Sequence, residues 1–154
     1  MQMLKNKSQV QLSADFVESV KKTVTPHWGP LGWVTYKRTY ARYLDDKQRT
    51  ENWDETVKRV VEGNINLDPR LHQDELDPKT YEDLTSEAQQ LFKLVYGLSA
   101  TPSGRNLWIS GTDYQKRNGD SLNNCWFIGI RPQPYGDSHI VPDYLEPDQD
   151  AVSM

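Results

Sequence analysis

Cysteine is nearly absent: the 154 residues contain one, Cys125. A single thiol excludes an intrachain disulfide framework. The three histidines, His27, His72 and His139, are scattered, and with one cysteine they offer no zinc-ligand spacing, so no metal site is expected. No apolar run approaches the length a membrane span requires. The first ten residues carry Lys5 and Lys7 with no apolar stretch behind them, so no secretory signal is expected and the cytoplasm is the expected compartment. Positive charge is not in excess either. Lysine and arginine total 18 against 22 acidic residues, a net charge of -4, which argues against a nucleic-acid binder. Apolar residues are sparse at 36%, yet five Trp and eight Tyr stand among them. A polar chain with so many large rings has surface meant for covering, and reads as a piece of something larger.

The first half reads as helices. Ser13 is placed to cap a helix with Asp15 and Glu18 early and Lys21 and Lys22 late, the order the helix dipole favours. Phe16, Val20 and Val24 give its apolar stripe, and Pro26 stops it. A second helical pattern runs from Val34 to Leu44, with Tyr36, Tyr40 and Tyr43 or Leu44 on one face. Asn52 and Glu55 form a capping-box pattern ahead of Trp53, Val57, Val60 and Val61, and Gly63 ends that helix. Asp54 with Lys58 and Glu55 with Arg59 have the spacing of helical ion pairs. Asn64–Tyr81 reads as a long connection. Thr85 then caps a last helix whose face is Ala88, Leu91, Phe92 and Val95, closed by Gly97.

After Ala100 the texture changes. Leu107-Trp108-Ile109 and Cys125–Ile130 are short apolar runs rich in β-branched and aromatic residues, hence strand candidates. The second is apolar almost throughout, as a strand buried on both faces would be. Two strands do not make a stable sheet alone. The chain therefore reads as the front of a larger α/β domain.

Three features can carry chemistry. Cys125 is either a small core hydrophobe or, given Asn123 and Asn124 before it, a thiol at the mouth of a strand. Thr101-Pro102-Ser103-Gly104-Arg105 has the hydroxyls and guanidinium to hold a phosphate, and equally the composition of an ordinary turn. It is not a Walker A loop, because no lysine follows the glycine at the needed spacing. The segment from Tyr36 to Tyr43 interleaves tyrosines with Lys37, Arg38 and Arg42. It reads as an amphipathic helix with tyrosines turned to the core rather than as a base-stacking surface.

Trp33–Arg42, Glu51–Asn64, Ala100–Trp108 and Asp120–Phe127, in this order, closely resemble the start of the adenosylcobalamin-dependent, monomeric class II ribonucleoside-triphosphate reductases. The resemblance implies a helical N-terminal region over 1–99, followed over 100–154 by the first strand or two of a ten-stranded α/β barrel that this chain leaves incomplete. It implies reduction of a ribonucleoside triphosphate at its 2′ carbon by radical chemistry, with a thioredoxin-type reductant. By motif position Cys125 matches the N-terminal member of the reducing cysteine pair. Thr101 and Ser103 match a loop that seats the substrate, and Asn124 lies beside the sugar. The radical cysteine, the second reducing cysteine and most adenosylcobalamin contacts belong to family regions beyond this sequence. The chain is thus expected to need a C-terminal reductase portion or subunit, or to be an inactive remnant that binds a nucleotide or a partner.

Overall fold

The hub of the fold is a helix built on a Trp-Val stripe, and the other elements gather on it. The structure, a computed structural model, describes residues 9–73 and 76–117. Within these, α1 is Ala14–Thr23, α2 Gly32–Thr39, α3 Trp53–Ile65, α4 Pro78–Tyr96, α5 Gly104–Ile109 and α6 Asp113–Arg117. Strands β1 (Tyr43–Leu44) and β2 (Arg49–Thr50) pair antiparallel, with Tyr43 opposite Thr50.

Helix α3 buries Trp53, Val57, Val60, Val61 and Ile65 against Leu84, Ala88, Phe92 and Val95 of α4. Trp53 donates its indole N–H to the Tyr96 carbonyl at 2.9 Å, so its ring is buried with its polar edge satisfied. Trp28, in the linker after α1, lies 5.0 Å from the Trp53 ring and 5.6 Å from that of Tyr36. Trp28 thereby anchors the linker to α2 and α3. Ahead of α1 the chain is tied to the end of α3. Asn66 accepts from the Val10 N–H at 2.7 Å and donates to its carbonyl at 3.0 Å, while Glu62 accepts from Leu12 N–H at 2.7 Å. Val10 and Leu12 are buried by this arrangement.

Several boundaries agree with the sequence pattern. Ser13 caps α1 by accepting from Phe16 N–H, and Glu55 reaches back to the Asn52 N–H at 2.8 Å to complete the capping box of α3. Gly97 is the C-cap of α4.

Others are corrected. The Val34–Leu44 pattern does not make one helix: α2 stops at Thr39, where the Tyr40 and Ala41 N–H groups both turn onto the Tyr36 carbonyl. Cross-strand pairing then takes Tyr43 and Leu44, with Gln48 in the left-handed region (φ 50°) at the turn. Tertiary pairing outweighs the local period.

Gly63 does not end α3, which continues to Ile65. The long connection is shorter than expected, because Pro69–His72 forms a 3-10 turn and α4 begins at Pro78 under an Asp77 cap. Proline in the first turn is preorganised for that start. Thr85 lies inside the helix and donates to the Tyr81 carbonyl at 2.8 Å instead of capping. Leu91 is only partly covered, at 36% exposure.

The largest correction falls on Leu107-Trp108-Ile109, which is helical in α5. The reason is local capping at one end and a tertiary clamp at the other. The second strand candidate, Cys125–Ile130, lies outside the described residues, as does the barrel it would begin.

Candidate functional site

The Thr101–Arg105 loop follows α4 through Leu98, which takes a left-handed φ of 61°. Thr101 is exposed and Ser103 half-buried. The Ser103 hydroxyl caps α5, accepting from the Asn106 N–H at 3.3 Å and from its side-chain Nδ2 at 3.0 Å. Asn106 Oδ1 in turn accepts from the Ser110 hydroxyl at 3.0 Å. Gly104 lies close under the Tyr40 ring: a Cβ would stand 2.6 Å from the Tyr40 hydroxyl oxygen, so the ring would have to move. The tyrosine-bearing segment and the loop therefore meet, which neither pattern showed alone. Thr39, Tyr40, Gly104, Arg105, Trp108 and Ile109 line an open cleft of about 570 Å³, with Trp108 54% exposed.

The far end of α5 is held by a charged group that sequence reasoning assigned elsewhere. Glu51, only 3% exposed, receives Arg59 Nε at 2.7 Å on one carboxylate oxygen and Arg59 Nη2 at 2.9 Å on the other. Arg59 also donates to the Leu107 carbonyl at 2.9 Å and to the Ser110 carbonyl. Arg42 adds a bond from Nη1 to the Trp108 carbonyl at 3.0 Å, and its N–H meets Glu51 at 3.2 Å. Thr56 donates to Glu51 at 2.8 Å, and the Tyr36 hydroxyl contacts Thr56 Oγ1 at 2.8 Å.

Burial raises the energy of the Glu51 charge, but the Arg59 hydrogen bonds and charge, with Thr56 and the Arg42 N–H, more than offset it. Its carboxyl is held below the usual range. Burial pushes the Tyr36 phenol up to about 12.

Arg59 is thus not the partner of Glu55, which instead holds Arg49 at 2.6 Å and Lys47 at 2.7 Å. Asp54 pairs with Lys21 at 3.4 Å, and Lys58 with Glu62 at 3.8 Å. Helical spacing alone favoured the exposed pairs; nothing in it announces that Glu51, just outside the helix, is buried.

Of the sequence-derived site residues, the structure puts Thr101 and Ser103 in one loop. Cys125 and Asn124 lie outside the described residues. Among the described residues no group of three His, Cys, Asp or Glu is arranged to hold a metal ion. No described helix is long and apolar enough to cross a membrane.

The family of the ribonucleotide reductase alpha domain matches residues 12–112. The adenosylcobalamin-dependent ribonucleoside-triphosphate reductase of Lactobacillus gasseri is 75% identical over 146 residues, covering 95% of this chain and 20% of the relative. That of Lactobacillus leichmannii is 70% identical over 146 residues, with the same coverage of 95% and 20%. A crystal structure of a B-12 dependent (class II) ribonucleotide reductase superposes with a TM-score of 0.77 at 71% identity, over 89% of this chain and 19% of that one.

The chain belongs to the ribonucleotide reductase alpha-domain family. Within it the similarity is to the N-terminal portion of adenosylcobalamin-dependent class II reductases, and the chain spans about a fifth (20%) of the length of the curated relatives it matches.

Proposed function

We propose that this chain is the N-terminal part, or a split subunit, of an adenosylcobalamin-dependent reductase that converts ribonucleoside triphosphates to 2′-deoxyribonucleoside triphosphates. The observation that carries this reading is 75% identity sustained over 95% of the chain. Residues 1–99 belong to its helical region, and 100–154, which open on the helices α5 and α6, lead into a ten-stranded barrel completed by a C-terminal portion or partner. The working compartment is the cytoplasm.

That other portion would hold most of the adenosylcobalamin, which would supply the radical chemistry when bound. This chain's contribution is reduction and seating. The substrate's 2′ hydroxyl leaves as water, a hydrogen replaces it, and two thiols lose two electrons to become a disulfide. Cys125 is one of those thiols, and a thioredoxin-type dithiol then reduces the disulfide. A bridge needs the partner's Cα within about 4.4–6.8 Å. Thr101 and Ser103 seat the triphosphate, and Asn124 lies beside the sugar. Thr101 is an exposed residue, and its hydroxyl can donate to a phosphate oxygen. The exposure of Trp108 and Leu94 supports their being covered by the remaining reductase.

The test is a chimaera in which this chain replaces the matching segment of the Lactobacillus leichmannii enzyme. Deoxynucleotide formation dependent on adenosylcobalamin is expected from the chimaera, and none from the chain alone. A folded but inactive chimaera would refute the reading.

A further inference from the structure

Helix α5 has six residues, far fewer than an isolated helix needs to persist in water. Its position is therefore imposed from outside. At its first turn Ser103 caps it, and this same residue belongs to the loop with Thr101. At its last turn the carbonyls that lack helical partners are taken by two arginines: Leu107 and Ser110 by Arg59, Trp108 by Arg42. One buried carboxylate, Glu51, stands behind both, accepting from one edge of the Arg59 guanidinium through both its oxygens and from the Arg42 N–H.

We propose that Arg59 is a positioning residue for the substrate: by clamping the end of α5 from α3 it sets where Thr101 and Ser103 meet the triphosphate. This rests on the reading of those two residues as substrate contacts.

The guanidinium is suited to the task and an ammonium is not. Its planar fork reaches two carboxylate oxygens and two carbonyls at once, whereas lysine presents one point charge. Arg59→Lys keeps the charge beside Glu51 and gives up the bridge. The loop then samples positions in which its hydroxyls miss the phosphates. The reacting 2′ carbon is served by other groups, so the loss falls on substrate affinity rather than on turnover.

Arg59→Lys and Thr101→Ala are to be compared in the chimaera, with KM for a ribonucleoside triphosphate, kcat and thermal stability read on each. The expected result for Arg59→Lys is a KM raised about tenfold, the scale of a lost charge-assisted hydrogen bond, with kcat nearly unchanged. A KM unchanged by Arg59→Lys, where Thr101→Ala raises it, overturns the clamp and spares the substrate loop. A KM unchanged by Thr101→Ala removes the substrate loop and the clamp with it. If Arg59→Lys does not fold, Arg42→Met is the second variant, since it removes only the exposed bond to the Trp108 carbonyl. A folded Arg42→Met with raised KM supports the positioning role; one with wild-type KM overturns it.

Discussion

Gly63 and Gly111 meet backbone to backbone. A Cβ added to Gly63 would collide with the Gly111 nitrogen and Cα, and Gly111 itself holds a φ of +75° with the Arg59 carbonyl against its own Cα face. Gln115, buried, closes the contact by accepting from the Gly111 N–H at 2.7 Å. Gly63 is thus a glycine of close approach inside a helix rather than a helix stop.

Gly63→Ala gains helix propensity yet is expected to destabilise the chain. The obstacle is main chain, which cannot rotate away, so about 1–3 kcal/mol is expected from overpacking. Urea unfolding of the variant checks it, and a stabilised variant would show that the contact yields.

Tyr36 predicts an alkaline limb in stability. The unfolded phenol ionises near 10.0, the buried one only near 12. The raised value means that this contribution is complete below pH 10 and is lost as pH rises toward 12. The loss is on the order of 2 kcal/mol, since one pKa unit corresponds to 1.36 kcal/mol. Tyr36→Phe is expected to flatten that limb at the expense of about 1 kcal/mol at neutral pH from its lost hydrogen bonds. Tyr96, also raised by burial, leaves a residual slope. Denaturant midpoints from pH 8 to 11 decide it.

At the acid end Glu55 acts together with Glu51 and Asp68, whose carboxyls are also held below their ordinary values. The hydrogen bond from Arg49 above all, with those from the Asn52 N–H and Lys47, holds the Glu55 carboxyl well below the ordinary value of 4.5. The depressed value means stability that is present above pH 4.5 and lost as pH falls below it. Glu62, pushed up chiefly by burial, works in the opposite sense, favouring the folded state as acid protonates it. Glu55→Gln is expected to shrink the acid loss and to lower neutral stability by about 1 kcal/mol, the pair being partly exposed. An unchanged acid limb in the variant would contradict this.

Cys125→Ser separates chemistry from packing. In the chimaera product formation is expected to collapse with folding nearly intact, because a hydroxyl cannot form the disulfide. Normal turnover per folded enzyme, with stability lowered by about 1–3 kcal/mol for an under-satisfied hydroxyl, would assign Cys125 to the core instead.

What the sequence made legible was whatever rests on neighbours in the chain. The Ser13 cap, the Asn52–Glu55 box and the α3 stripe all depend on spacing within a turn or two, and all are present. What it hid was set by distant contact. Leu107 and Ile109 have strand-like chemistry, but α5 is decided by Arg59, 48 and 51 positions from the carbonyls of Leu107 and Ser110 that it holds. The same holds for the candidate site. The Thr101–Arg105 loop was visible as a motif, while the Glu51–Arg59 pair and the Tyr40–Gly104 contact beside it were not. Burial of one carboxylate leaves no mark on the local pattern.

The Asn66 carboxamide performs the work of a β-strand residue from the end of a helix. It offers an acceptor and a donor, both to the same residue, as a paired strand would offer Val10. A carboxylate has no proton for the Val10 carbonyl, and a short hydroxyl cannot span both groups. The point of attachment for the segment leading into α1 is therefore selective for one functional group. Asn66→Asp, nearly identical in size, keeps an acceptor for the Val10 N–H but leaves the Val10 carbonyl without its donor, and should lower the urea midpoint of the chain. At this position hydrogen-bond polarity, rather than volume or hydrophobicity, decides which side chains are compatible with the fold.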